Sequence, residues 1–272
     1  MIRITRCAEP AILSAVRSAR LVGLRALGRD PSSKEIDGYK IVAEELWRAQ
    51  HHKCCYCEHR IPRGFNDVEH YRPKAAADRR PGSAEIHGYW WLAFTWENLL
   101  FACPACNRSS KNSRFPLASG SSPLMAEQSP PAQESPLLLD PGSTINPVEH
   151  IEFFYQTLGS TSNQRHWWAR PRNGSQLGNM TIDVCDLNRA ELRELREDHY
   201  TDVIIPHMLA IILAIRSANI QNLRREFYRA IDLLKPRNAY VGITYDALRT
   251  NIPDNDIKNL IGVGWPSPDA IA

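Results

Sequence analysis

Residues 51–74 read HHKCCYCEHRIPRGFNDVEHYRPK. This short run holds three cysteines, four of the chain's nine histidines, and two acids, Asp67 and Glu69, close to the last histidine, His70. Cys54 and Cys57 form a C-x-x-C unit, and Cys103 and Cys106 form a second about 45 residues later. A C-x-x-C turn sets two thiolates on one side of a tight knuckle, which is half of a tetrahedral zinc site. Two knuckles complete a closed, structural site with no water ligand. Simple zinc ribbons separate their knuckles by roughly 15–20 residues, so a substantial element must fold between these two. The competing readings are buried apolar thiols or a redox dithiol; a redox pair accounts for one unit but not for its twin. Cys55 abuts the first pair, while Cys7 and Cys185 stand alone and read as packing residues.

The rest of the composition is that of an ordinary globular chain. Of 272 residues, 43% are hydrophobic and 23% charged. Lys and Arg outnumber Asp and Glu by 33 to 30, a net charge of +3, so any nucleic-acid face must come from local clustering. The N-terminus, MIRITRCAEPAILSAVRSAR, is threaded with arginines and has no secretory apolar core. The longest apolar run, MLAIILAI (208–215), is far below the roughly 18 residues of a spanning helix. The expectation is a cytoplasmic protein without a membrane, where paired cysteines point to metal before disulfide. Seven cysteines, an odd number, agree.

Outward from the cysteines the chain divides into four expected parts. An N-terminal helical segment (1–50) contains EPAILSAVRSARLVGL, with Pro10 at a first turn. Its second helix starts from a Ser32–Glu35 capping box and carries Ile36, Tyr39, Val42, Leu46 and Trp47 on one face. Residues 51–117 are a loop-rich core, and 118–136 is a Ser/Pro-rich loop, mobile or a linker. Residues 137–272 are mainly helical. Within them LLLDPGSTINPVEHIEFFY predicts a strand, a turn and another strand, and Pro206 is expected to kink or divide a long helix. MLAIILAI reads as a buried helix.

Several segments together resemble a known family. DVEHYRPK and WENLLFACPACNRSSK resemble the HNH endonucleases, and KCCYCEHRI, GYWWLAFTWENLLFACPACN, FPL, LLLDP and LNRAELRELR resemble the PtuB-like nucleases of Septu and some retron antiphage defence systems. The likeness runs to about residue 200 and is most specific over 54–117. It implies an α+β fold: a ββα-metal (HNH) nuclease motif with a four-Cys zinc site, embedded in a mainly α-helical protein. It implies that His70 is the general base, that Glu69 and Asn107 hold a catalytic Mg²⁺ or Mn²⁺, and that Asn98 holds the hairpin and orients His70. Glu in place of the commoner Asp, and Asn in place of a final His, both keep an oxygen ligand. A PtuA-like ATPase is the implied partner, and the surplus C-terminal helices are the natural docking region.

The chemistry is consistent with those residue types. A neutral imidazole can take a proton from water near neutral pH, while hard oxygen ligands favour Mg²⁺ or Mn²⁺ over the zinc selected by thiolates. Arg72, Lys74, Arg108 and Lys111 are expected to contact phosphates, with Arg79, Arg80 and Arg114 nearby; a solvated loop face is the alternative. The role of Asp67 stays open. Trp90, Trp91 and Trp96 read as core, Trp167 and Trp168 as core or an interface patch, and His51, His52 and His59 as surface or supporting residues. The expected substrate is double-stranded DNA. Alternatives are a zinc-stapled nucleic-acid-binding module without cleavage, and an RNA-directed (tRNA) nuclease using the same site, because phosphate contacts carry no sequence information.

Overall fold

A computed structural model of the chain describes residues 1–64, 67–80, 87–157 and 165–271. Helix α1 (Ala11–Arg25) starts from an extended Pro10 at its N-cap, a position where the missing N–H costs nothing. The second helix is shorter than expected. Glu35 does accept from the Ser32 N–H at 2.7 Å, but Gly38 takes φ 103°, a left-handed backbone incompatible with a continuing helix. A single turn (Tyr39–Val42) and helix α2 (Ala43–Ala49) follow, and deliver the chain to Cys54.

Strands β1 (Asp67–His70) and β2 (Leu99–Ala102) pair antiparallel, with Asp67 opposite Ala102 and His70 opposite Leu99. Both are buried along their whole length. Helix α3 (Ala105–Lys111) follows at once, wound wide, with the Asn112 N–H donating to the Asn107 carbonyl at 2.6 Å. The described part of the excursion between the strands folds back on itself. Gly88 lies so close to Ala75 that a Cβ would sit 2.4 Å from its carbonyl carbon, so only glycine fits there. Trp90, Trp91 and Trp96 are buried as expected. Arg6 ties the N-terminal segment to the hairpin by donating to the carbonyls of Trp96 and Glu97, each at 3.0 Å, and of Leu99 at 2.5 Å.

Segment 118–136 has no helix or strand, yet it is not a free linker. Its Glu134, 4% exposed, accepts from Arg72 Nε (2.6 Å), the Leu124 N–H (3.3 Å) and the Tyr89 hydroxyl. One buried carboxylate and the buried Leu124 anchor a stretch whose Ser/Pro content alone reads as mobile. LLLDP is likewise no strand. Leu138 and Leu139 are buried, and their backbone bonds go to Tyr71 and Thr181 side chains (2.6 and 2.9 Å). The second strand pair is instead β3 (Ile151–Thr157) with β4 (Arg165–Pro171), and it buries Trp167 as core.

Helices α4 (Gln176–Val184), α5 (Ala190–Arg216), α6 (Ile220–Leu233), α7 (Val241–Asn251) and α8 (Asp254–Ile261) complete the chain. Pro206 does not divide α5. Residues Tyr200–Ile204 adopt the wider helical spacing, and Pro206 falls at the start of the regular stretch that follows, where a missing N–H is tolerated. MLAIILAI is only half buried: Met208, Ile211 and Ala214 are inside, while Leu209 and Leu213 are 49% and 63% exposed. By length and composition alone α5 qualifies as a candidate membrane span, with a mean hydropathy of 1.3 over its best stretch; a count of consecutive apolar residues misses this. Its other end is highly charged, and the helix packs on α6.

The C-terminal region closes over the knuckles. Glu58 accepts from the Val241 and Gly242 N–H groups at the start of α7 (2.8 and 3.2 Å), and Lys53 Nζ donates to the Asn238 carbonyl at 2.6 Å. The chain is thus α+β, mainly helical, with two antiparallel strand pairs among the described residues.

Candidate metal centre and adjoining cleft

The two C-x-x-C turns converge on one point. The sulfurs of Cys54, Cys57, Cys103 and Cys106 all lie within 4.8 Å of one another, and all four residues are buried. Zinc–sulfur bonds of about 2.3 Å in a tetrahedron place neighbouring sulfurs about 3.8 Å apart. Cys57 and Cys103 Sγ are 3.8 Å apart, too far for a disulfide. The donor set and spacing therefore fit a zinc ion, and the meeting of both pairs at one point argues against two separate redox dithiols. Arg189 Nη1 donates to Cys106 Sγ at 3.4 Å. Burial alone would lower its pKa, but the Cys106 and Cys57 thiolates outweigh that and raise it, as a cation beside an anionic cluster should behave. Cys55 and Cys185 are buried outside the cluster, their thiol pKa values pushed up by burial. Cys7, expected to pack, is exposed; its carbonyl accepts from Trp96 Nε1 at 2.9 Å.

Beside this cluster lies a cleft of about 310 Å³ whose lining includes Tyr39, Glu69, His70, Lys74, Asn107 and Asn112. Alternation along β1 sends Glu69 and His70 to opposite faces. Both nonetheless line this one cleft. His70 Nε2 lies 3.0 Å from the Ala93 carbonyl. A carbonyl can only accept, so the proton sits on Nε2 and the lone pair on Nδ1. Burial drives the His70 pKa down to about 3, which keeps the ring neutral. Glu69 Oε1 accepts from Tyr56 Oη at 3.2 Å and pairs with Lys111 Nζ at 2.6 Å. Burial raises the Glu69 pKa, with Lys111 opposing.

Asn98 stands behind the cleft. Its Oδ1 accepts from the Arg72 N–H (2.7 Å), and its Nδ2 donates to the Arg72 and Leu92 carbonyls, both at 3.1 Å. It thus fixes the turn that follows His70. The four expected phosphate contacts separate into two kinds. Lys111 is 1% exposed and donates to the His70 carbonyl at 3.0 Å as well as pairing with Glu69; Arg72 is committed to Glu134. Each is the counter-charge of a buried carboxylate. Lys74 reaches the Ser33 carbonyl and hydroxyl (2.9 and 2.7 Å) at the cleft rim. Arg108 is 68% exposed and grips Asp67 through Nε at 2.7 Å and through Nη2, which accounts for Asp67.

Sequence reading missed Tyr56, Arg6 and Asn112. Tyr56 lay inside the quoted knuckle as the residue between Cys55 and Cys57, and its aromatic ring gave no sign of a polar role. Among the histidines, His52 stacks on Trp47 (ring centroids 3.6 Å apart) and His59 Nδ1 lies 2.8 Å from the Tyr240 hydroxyl, so both are supporting residues.

Fold and site together define an α+β protein in which a buried four-thiolate cluster, suited to zinc, braces a strand pair and helix around a polar cleft. Over 213 residues the chain is 32% identical to the Septu protein PtuB of Bacillus mycoides (strain KBAB4), covering 75% of this chain and 68% of that protein. A stretch of 151 residues, 55% of the chain, is 28% identical to the Septu protein PtuA of the same strain, of which it spans 19%. No family model matches, and no solved structure matches. The chain belongs to the Septu PtuB family.

Proposed function

We propose that this protein is a divalent-metal-dependent HNH endonuclease that hydrolyses phosphodiester bonds of DNA, and that it serves as nuclease effector of an antiphage defence system with a PtuA-like ATPase. The observation that carries the reading is the placement of His70: its Nε2–H is held by the Ala93 carbonyl, which leaves the lone pair on Nδ1, and the residue lines one cleft with Glu69 and Asn107.

In this reading His70 Nδ1 takes the proton from an attacking water, the water oxygen bonds to phosphorus, and the 3′ oxygen leaves. Glu69 and Asn107 would hold Mg²⁺ or Mn²⁺. Their oxygens are the right donors for such an ion, and Glu69 Oε2 accepts no hydrogen bond among the described residues. The ion, when bound, supplies Lewis-acid neutralisation of the phosphate and leaving oxygen. Asn98 holds the backbone that carries His70. Lys74 and Arg108 flank the cleft as phosphate contacts. Docking on the helical C-terminal region has its own test: Leu213→Glu, on the exposed face of α5, leaves the core intact and is expected to weaken co-purification with the ATPase.

The test incubates the purified protein, with and without the ATPase, with plasmid DNA and total RNA under Mg²⁺ or EDTA. DNA cleavage that requires Mg²⁺ and falls by about 10²-fold or more in His70→Ala is the expected result. Cleavage indifferent to His70 overturns the mechanism, RNA cleavage alone overturns the substrate, and binding without cleavage favours the binding module.

A further inference from the structure

Glu69 is gripped from both knuckles at once. Tyr56, within the first C-x-x-C unit, donates its hydroxyl to Oε1; Lys111, at the end of the helix that the second unit opens, sets its ammonium 2.6 Å from the same oxygen. The same ammonium donates to the backbone carbonyl of His70. Tyr56, Glu69 and Lys111 are 0%, 2% and 1% exposed, so water does not compete for these bonds. A carboxylate held at one oxygen by two donors, one on the first knuckle and one at the end of α3, cannot turn freely about its last bond. Its second oxygen, Oε2, is therefore fixed in direction, and Glu69 forms part of the cleft wall.

We propose that Tyr56 and Lys111 are positioning residues that present Glu69 Oε2 to the divalent ion, so that the thiolate cluster sets the affinity of the cleft for that ion. The inference rests on the reading of the cleft as a divalent-cation site. It has a sign that simple electrostatics does not. An ammonium beside a ligand repels an incoming cation, so if charge alone mattered, removing Lys111 would tighten binding. If orientation dominates, removing it weakens binding, since loss of a residue that orients a metal ligand typically costs about 10- to 100-fold in affinity.

The experiment follows Mn²⁺ binding by electron paramagnetic resonance of the free ion, using the full zinc-loaded chain, with zinc content measured in parallel. Wild type is compared with Tyr56→Phe, Lys111→Met and Lys111→Arg. The expected result is binding weakened a few-fold in Tyr56→Phe and about 10- to 100-fold in Lys111→Met, with Lys111→Arg between and zinc content unchanged. Mn²⁺ affinity unchanged or tightened in both Tyr56→Phe and Lys111→Met overturns the proposal. If Lys111→Met fails to fold, Tyr56→Phe decides alone, since it removes one hydroxyl and no charge. Wild type that takes up no Mn²⁺ overturns the metal reading of the cleft and this inference with it, a failure visible before any variant is measured.

Discussion

Asn98 brackets the peptide of Arg72, accepting from its N–H at 2.7 Å and donating to its carbonyl at 3.1 Å. With the Leu92 carbonyl as a third partner, one buried carboxamide joins the turn after β1 to the segment before β2. Asn98→Ala strands the Arg72 N–H and carbonyl, while the Leu92 carbonyl keeps the Thr95 N–H, and thermal unfolding should report a loss of roughly 2–6 kcal/mol, about 1–3 for each stranded group. Asn98→Asp should be at least as damaging, because it replaces the donating amide with a carboxylate oxygen facing two carbonyls. An aspartate variant as stable as wild type would mean that the amide is not the donor the geometry requires.

The thiolate cluster leads to a prediction about folding. Purified protein is expected to carry zinc, detectable by elemental analysis, and Cys57→Ser or Cys106→Ser should lose it together with solubility. Binding energy at such a site is folding energy, and here the two knuckles anchor β1, β2 and α3 as well as the contact of Glu58 with α7. Cys7→Ser, at an exposed thiol, should change neither zinc content nor melting temperature. Full zinc occupancy in Cys57→Ser would remove that residue from the ligand set.

His199 gives the stability a pH dependence. Its Nε2 lies 3.0 Å from Thr244 Oγ1, whose own proton goes to the Tyr240 carbonyl, so the ring donates through Nε2. Burial lowers its pKa to about 4, against a weaker pull from Glu58 and Asp202. In the unfolded chain it titrates near ~6.5. Below that pH the unfolded state binds a proton that the folded state refuses, so stability is full above about pH 7 and declines as pH falls toward 4. The difference is worth on the order of 3 kcal/mol, and His70, lowered to about 3, acts in the same direction. Urea midpoints at pH 7.5 and 5 should draw closer together in His199→Gln than in wild type. An unchanged gap would assign the acid sensitivity elsewhere.

The cysteine spacing made the cluster legible because coordination geometry is local: a C-x-x-C turn has few shapes. Helix α1 was legible for a similar reason, its apolar period and Pro10 being local signals. What could not be read was set by distant partners. Gly38 broke a well-patterned helix, and β4 formed because it pairs with β3, not because RHWWARP alternates. Glu134 pinned a segment whose composition argued for mobility. The ion pairs of two cations were hidden for the same reason. Charge counts place Lys111 and Arg72 beside a cleft, but only the fold reveals the buried carboxylates they neutralise, Glu69 and Glu134.

That division of the cations gives the last prediction. Arg72 and Lys74 are near neighbours in sequence, and expectation treated them alike. Glu134 has no exposed side chain and Arg72 is its ion-pair partner, so Arg72→Ala strands a buried charge, which typically costs about 3–5 kcal/mol. Its phenotype should be a lowered melting temperature, and Arg72→Ala/Glu134→Gln should recover part of the loss. Lys74 donates to Ser33, sits over the Tyr39 ring and lines the cleft rim, with no ion pair among the described residues. Lys74→Ala should leave the melting temperature nearly unchanged while weakening DNA binding, and should reduce the slope of log affinity against log salt by about 1, the signature of one lost phosphate contact. Binding titrations across a salt series, run beside thermal melts, separate the two residues. If Lys74→Ala shifts the melt and leaves the salt slope intact, Lys74 belongs with Arg72 as an internal brace, and the phosphate path lies elsewhere along the cleft.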